Sequence, residues 1–125
     1  MNYNGYKDLE IYHMSYKLAL DIHSLSLKLP KFELYEEGSQ IRRSSKSIVI
    51  NIVEGFGRRR YKKDFIKFLI YAHASCDETK VHLKFIFNNG HISEEKFIKY
   101  NFEYNQLGQK IHNFILKIEK DKFSG

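Results

Sequence analysis

The stretch SQIRRSSKSIVINIVEGFGRRRYKKDF, Ser39–Phe65, decides the fold. Its middle, SIVINIV (Ser47–Val53), is β-branched and by residue type would suit a strand. The spacing argues for a helix instead. Ile41, Ile48 and Ile52 share one stripe, with Ser45 filling the gap. Gln40, Ser44, Ser47, Asn51 and Glu54 make a parallel stripe at alternating steps of four and three. Apolar and charged positions therefore sort at a period near 3.6 rather than 2. The spacing predicts a helix over about 36–56.

The same periodicity extends on both sides. Ile11, Met14, Leu18, Ile22, Leu25 and Leu29 predict a helix over about 8–29, ended by Pro30, which disfavours helical geometry in the residue before it. Phe65, Phe68, Leu69, Ala72, Cys76, Leu83 and Phe87 predict a third helix over about 64–88, with Asp64 as its N-cap and Gly90 as a left-handed stop. Ser93 opens a fourth, over about 93–120, whose face runs Phe97, Tyr100, Tyr104, Leu107, Ile111, Phe114 and Ile118. Gly108 interrupts that face and suits a close helix approach. Long helices joined by short breaks imply an all-α, antiparallel up-down four-helix bundle filling residues 1–125 as a single domain. The first few residues and the tail after Lys120 are expected to fray.

Composition narrows the function classes. A chain of 125 residues with one proline and 42% hydrophobic content suits one helical core. A lone cysteine, Cys76, leaves no intramolecular disulfide and no multi-cysteine zinc site. The opening lacks a signal-peptide pattern and no apolar run would span a membrane, so a cytoplasmic protein is expected. The net charge is +6 and is local in origin. Arg42, Arg43, Lys46, Arg58, Arg59, Arg60, Lys62 and Lys63 are opposed within residues 42–63 by Glu54 alone. These eight residues are the candidate nucleic-acid contacts, because phosphate binding needs several cations on one surface and Tyr61 adds a stacking ring. The bland alternative is a solvated or subunit-contact face.

Other chemistries fit less well. GFGRRR lacks the third glycine of a dinucleotide loop and the Gly-Lys-Ser/Thr of a Walker loop, so Gly55 or Gly57 reads as a helix cap. Glu10-x-x-His13 has di-iron spacing without its required second copy. Glu78/His82 and His73/Asp77 are isolated helical pairs. Neither a metal nor another cofactor is expected. Cys76 and His73 are spaced like a nucleophile and base but fall near the apolar stripe, where a core cysteine is the common outcome. No catalytic residues are assigned, and a non-enzymatic protein is expected. The stripe Gln40, Ser44, Ser47, Asn51 and Glu54, with Gly55, reads as a packing or subunit interface, with Glu54 pairing Arg58 one turn on or an arginine of another helix.

These residues resemble a known family. YKDLEIY near the start, Pro30 with Glu33, SQIRRSSKSIVINIVEGFGR and DFIKFLIYAHAS are similar to bacterial 23S rRNA intervening-sequence proteins. The most specific part is carried by Gln40, Ile41, Arg42, Arg43, Ser47, Ile48, Asn51, Ile52, Glu54 and Gly55. The chain departs from the pattern at Val49–Ile50, Ala74 and Cys76. The resemblance implies an antiparallel helical bundle without enzymatic activity. Similar proteins include the accessory variability determinant of diversity-generating retroelements. By that resemblance the chain would be a homopentamer with a basic surface for RNA or DNA, and a reverse transcriptase would be a protein partner. A protein-docking scaffold is the alternative function, with the polar seam and basic face as its docking surface.

Overall fold

The computed structural model describes residues 2–121. A 3-10 turn (Tyr6–Asp8) leads into α1 (Glu10–Ser26), followed by a four-residue α2 (Lys31–Leu34), α3 (Glu37–Gly57), α4 (Lys62–Asn88) and α5 (Glu94–Lys120). No strand occurs among the described residues. The β-branched Ser47–Val53 segment lies in the middle of α3. There the apolar stripe wins over local propensity, because Ile41, Ile48 and Ile52 are fully buried only on a helical spacing.

The four long helices pack in sequence order, α1 on α3, α3 on α4 and α4 on α5, and α5 closes against α1. The sense is antiparallel. Lys62, at the start of α4, reaches Glu119 and Asp121 at the end of α5. Arg42, near the start of α3, reaches Ser26 at the end of α1. The core runs the length of the bundle, with Ile22, Ile48, Leu69, Leu83, Leu107 and Ile111 fully buried. Each such side chain contributes roughly 1.5–3 kcal/mol against its exposed form.

Helix ends differ from expectation in instructive ways. α1 stops at Ser26, short of Pro30, which instead opens α2. α4 begins at Lys62, and Asp64 is not its N-cap. Tyr61 holds that position in extended geometry with no side-chain cap, and Asp64 sits within the first turn. Ser93 does cap α5, accepting from the Lys96 amide at 3.2 Å. Gly90 takes the left-handed conformation, φ 80°.

The expectation of a frayed N-terminus fails for the described residues. Tyr3 packs edge-on against Phe56 and Phe114, and these join Phe65 in an aromatic cluster with ring centroids 5.8–6.2 Å apart. Of the tail expected to fray after Lys120, Asp121 is described and its carbonyl accepts from Lys62 at 2.9 Å, and residues 122–125 lie outside the described residues. The aromatic cluster plugs the end of the bundle at which α3 meets α4, so this end has a firm floor.

Candidate nucleic-acid interface

Arg58–Tyr61 connect α3 to α4 in a tight turn, with the Arg58 amide donating to Gly55 O at 3.0 Å and the Tyr61 amide to Arg58 O at 2.9 Å. No glycine caps α3. Arg58 follows its last residue at φ −102°, and Gly90 alone has positive φ among the described residues. Gly55 is buried for a different reason. A Cβ there would stand 3.1 Å from Phe68 Cβ and 3.2 Å from the Phe65 carbonyl, so its bare backbone lets α3 touch α4.

The basic residues of this turn divide by what holds them. The Arg59 guanidinium donates to Phe56 O at 3.1 Å and lies 4.1 Å over the Phe56 ring, covering the negative end of α3. Arg58 lies 4.8 Å over Phe68 and 3.8 Å from Asp64. Its partner is thus Asp64 across the turn, not the expected Glu54, which is exposed and enters no ion pair among the described residues. Lys62 donates to the carbonyls of Glu119 and Asp121 at 3.1 and 2.9 Å, tying α4 to the end of α5. Arg60 and Lys63 are exposed and enter no ion pair among the described residues. Arg60 stands 6.0 Å over the Tyr61 ring.

Antiparallel packing adds cations that sequence reading missed. Lys117 and Lys120, both exposed in the last turn of α5, come to the same end, and Lys117 stands 5.9 Å over Tyr3. Lys67, one turn into α4, stands 5.4 Å over Phe68. The signal was present in the basic last turn of α5 together with the antiparallel order, which places that turn beside the first turn of α4.

Arg42, Arg43 and Lys46 do not join this surface. Arg43 lies about 22 Å from Arg58 along α3. Arg42 is corrected from a candidate phosphate contact to an internal clamp. Its guanidinium donates to Ser26 Oγ at 2.9 Å and to Leu34 O at 3.0 Å, binding α1, α2 and α3 together. Arg43 and Lys46 are exposed and form a separate, smaller patch.

The polar stripe lies mainly inside the α3–α4 contact. Ser44 and Thr79 hydroxyls are 2.8 Å apart, Ser47 and Ser75 hydroxyls 2.9 Å apart, and Asn51 donates to Ser47 O at 2.9 Å. Ser44 is buried and Ser47 and Asn51 are half-buried, whereas Gln40 and Glu54 are exposed at the ends. The seam's inner members are engaged within the chain, so they are not available as the docking surface that the scaffold reading gave them.

The nucleophile and metal candidates are engaged with other partners: His73 and Cys76 both border Gly108, and His73 Nδ1 faces Asp77 at 3.8 Å. Cys76 is fully buried and its thiol donates to Tyr104 O at 3.3 Å; burial pushes it up to about 12, where it stays protonated. The buried Tyr104 phenol is likewise pushed upward, by burial first and by nearby Cys76 second. Glu10 pairs with Lys110 at 2.7 Å while His13 Nε2 contacts Lys7 O at 2.6 Å, so the two do not converge. His82 instead sits between Glu37, at 2.7 Å, and Glu78, at 3.5 Å, fastening the first turn of α3 to α4. Among the described residues no three His, Cys, Asp or Glu side chains are grouped to hold a metal ion. No helix among them is long and apolar enough to cross a membrane.

Comparison with known proteins places this arrangement. No curated protein matches the sequence. The fold is similar to the 1.70 Å crystal structure of a protein of unknown function from the S23 ribosomal protein family of Bacteroides thetaiotaomicron VPI-5482. The TM-score is 0.77 at 24% identity, over 84% of this chain and 94% of that one. The family model for the 23S rRNA-intervening sequence protein matches residues 7–113. That match spans most of the chain, and the chain belongs to the 23S rRNA-intervening sequence protein family.

Proposed function

We propose that the chain is a non-enzymatic, cytoplasmic, homo-oligomeric protein that binds RNA or DNA through phosphate contacts. The surface is the end of the bundle formed by the α3–α4 turn and the last turn of α5. One observation carries the reading: Arg58, Arg60, Lys63 and Lys67 of the turn and the start of α4 are joined by Lys117 and Lys120 from the end of α5, which Lys62 ties to the start of α4. A solvated face gives scattered cations. Cations drawn from two elements onto one surface suit a polyanion. The family's name refers to 23S rRNA, which makes RNA the first probe. The test compares two variants of the full chain in RNA binding at fixed salt. Arg58→Ala/Arg60→Ala/Lys63→Ala is expected to weaken binding at least tenfold, and Arg43→Ala/Lys46→Ala less than threefold. The reverse ranking would move the surface to the middle of α3.

Self-association is part of the same reading, with five subunits taken from family resemblance. It is supported by a mainly apolar groove of about 380 Å³ between α1 and α3, lined by Tyr16, Ala19, Leu20, Val49 and Ile50 with His23 and Lys46 among them. Ile50 is 63% exposed, and a second groove bearing Tyr6, Tyr12 and Val53 continues from it. Apolar surface of this continuity favours coverage by another molecule. Light scattering is expected to give a multimer that Ile50→Asp dissociates. A wild-type monomer would leave the groove to a different protein, such as a reverse transcriptase, and favour the scaffold reading.

A further inference from the structure

We propose that the ligand of the cationic end is single-stranded nucleic acid, held by unpaired bases stacked on Tyr61 and on the outer face of α4 at Tyr71. The inference rests on the nucleic-acid reading above and adds the strandedness of the ligand. Tyr61 is 61% exposed at the first position before α4, and Tyr71 is 46% exposed. Phe68 and Tyr71 are three apart on one face of α4, and Tyr61 is the extended residue immediately before that helix.

Exposure alone does not single these rings out, since Phe32, Tyr35 and Phe102 are also exposed. Their distinction is the cations placed on and beside them. Arg60 stands over Tyr61, and Arg58 and Lys67 over Phe68, which meets Tyr71 edge to face with centroids 5.6 Å apart. Cations interleaved with exposed rings are the arrangement that holds a single strand, because phosphates meet the charges while bases find π-faces. A duplex keeps its bases stacked on one another and offers these rings nothing. Three carboxylates lie at this end: Asp64, paired with Arg58 at 3.8 Å, and Glu119 and Asp121 at the end of α5, whose backbone carbonyls hold Lys62.

The test uses the full chain and four fluorescent probes of one length: single-stranded RNA, single-stranded DNA, a duplex, and a base-free sugar-phosphate strand. Either single strand is expected to bind at least tenfold tighter than the duplex and the base-free strand. A preference between RNA and DNA would report the 2′-hydroxyl. Tyr61→Ala is expected to weaken single-strand binding at least fivefold with less than twofold effect on the duplex, Tyr61→Phe to retain it within twofold, and Tyr71→Ala to act like Tyr61→Ala. One stacked base is worth about 1–3 kcal/mol, which spans that range. Both positions are exposed, and circular dichroism checks folding. If the base-free strand binds as tightly as the natural ones, or Tyr61→Ala and Tyr71→Ala change nothing while Arg60→Ala/Lys63→Ala weakens every probe, the stacking inference is overturned and the phosphate reading stands. If no probe binds, both fall together.

Discussion

Replacing Gly55 or Gly108 with alanine is the same chemical change at two buried helix positions, and the packing gives it opposite signs. In a helix interior the change gains about 1 kcal/mol of propensity. At Gly108 the new Cβ would lie 3.6 Å from Cys76 Sγ and 3.9 Å from His73 Nε2, ordinary contact distances. The propensity term should therefore survive, raising stability by about 1 kcal/mol and Tm by roughly 4 °C. At Gly55 the Cβ would meet Phe68 Cβ at 3.1 Å and the Phe65 carbonyl at 3.2 Å. Both belong to the body of α4, so relief requires the helices to separate, at about 1–3 kcal/mol. Gly55→Ala should lose about 1 kcal/mol net. Urea unfolding of wild type and both variants, at one protein concentration, measures the two signs. A Gly55→Ala as stable as wild type would refute the reading of Gly55 as the close approach between α3 and α4, and a destabilised Gly108→Ala would refute the ordinary contact read at Gly108.

Two further outcomes follow from single residues. Arg42→Ala removes two charged-donor hydrogen bonds, each worth about 1.5–3 kcal/mol, and should cost at least about 3 kcal/mol in urea unfolding while changing RNA affinity less than twofold. Cys76 has its folded value pushed from 9.0 up to about 12, chiefly by burial, so its contribution is complete below pH 9. As pH rises from 9 towards 12 the unfolded thiol ionises and the folded one does not, so stability falls. Cys76→Ala should show a shallower decline over that window. The native thiol should also resist disulfide-exchange reagents at pH 8 until the chain unfolds.

The four long helices were legible because each buries one continuous stripe, and a stripe is a property of spacing. The 3-10 turn and α2 carry too few residues to show one. The Ser/Asn seam was legible as a packing device, but its partners Ser75 and Thr79 were not, since nothing in the sequence says which face of α4 it meets. The basic residues were legible by type and not by employment. Arg42, Arg59 and Lys62 are held by backbone carbonyls, acceptors that every residue has and no sequence pattern marks. The Glu54–Arg58 pair failed because the helical four-residue rule lapses where α3 ends, and the turn delivers Asp64 instead. Lys117 and Lys120 were missed because their nearness to Arg58 depends on tertiary order alone.

The salt dependence of RNA binding tests the phosphate surface most directly. For a single strand, the slope of log K against log salt is about −0.7 per phosphate neutralised. Wild type and Arg60→Ala/Lys63→Ala/Lys117→Ala would be titrated side by side by fluorescence anisotropy. The expected result is a steep wild-type slope that becomes shallower by about 2 in the variant, about 0.7 for each cation removed. Equal slopes in the two proteins, or a wild-type affinity indifferent to salt, would contradict the assignment of this end of the bundle to nucleic acid.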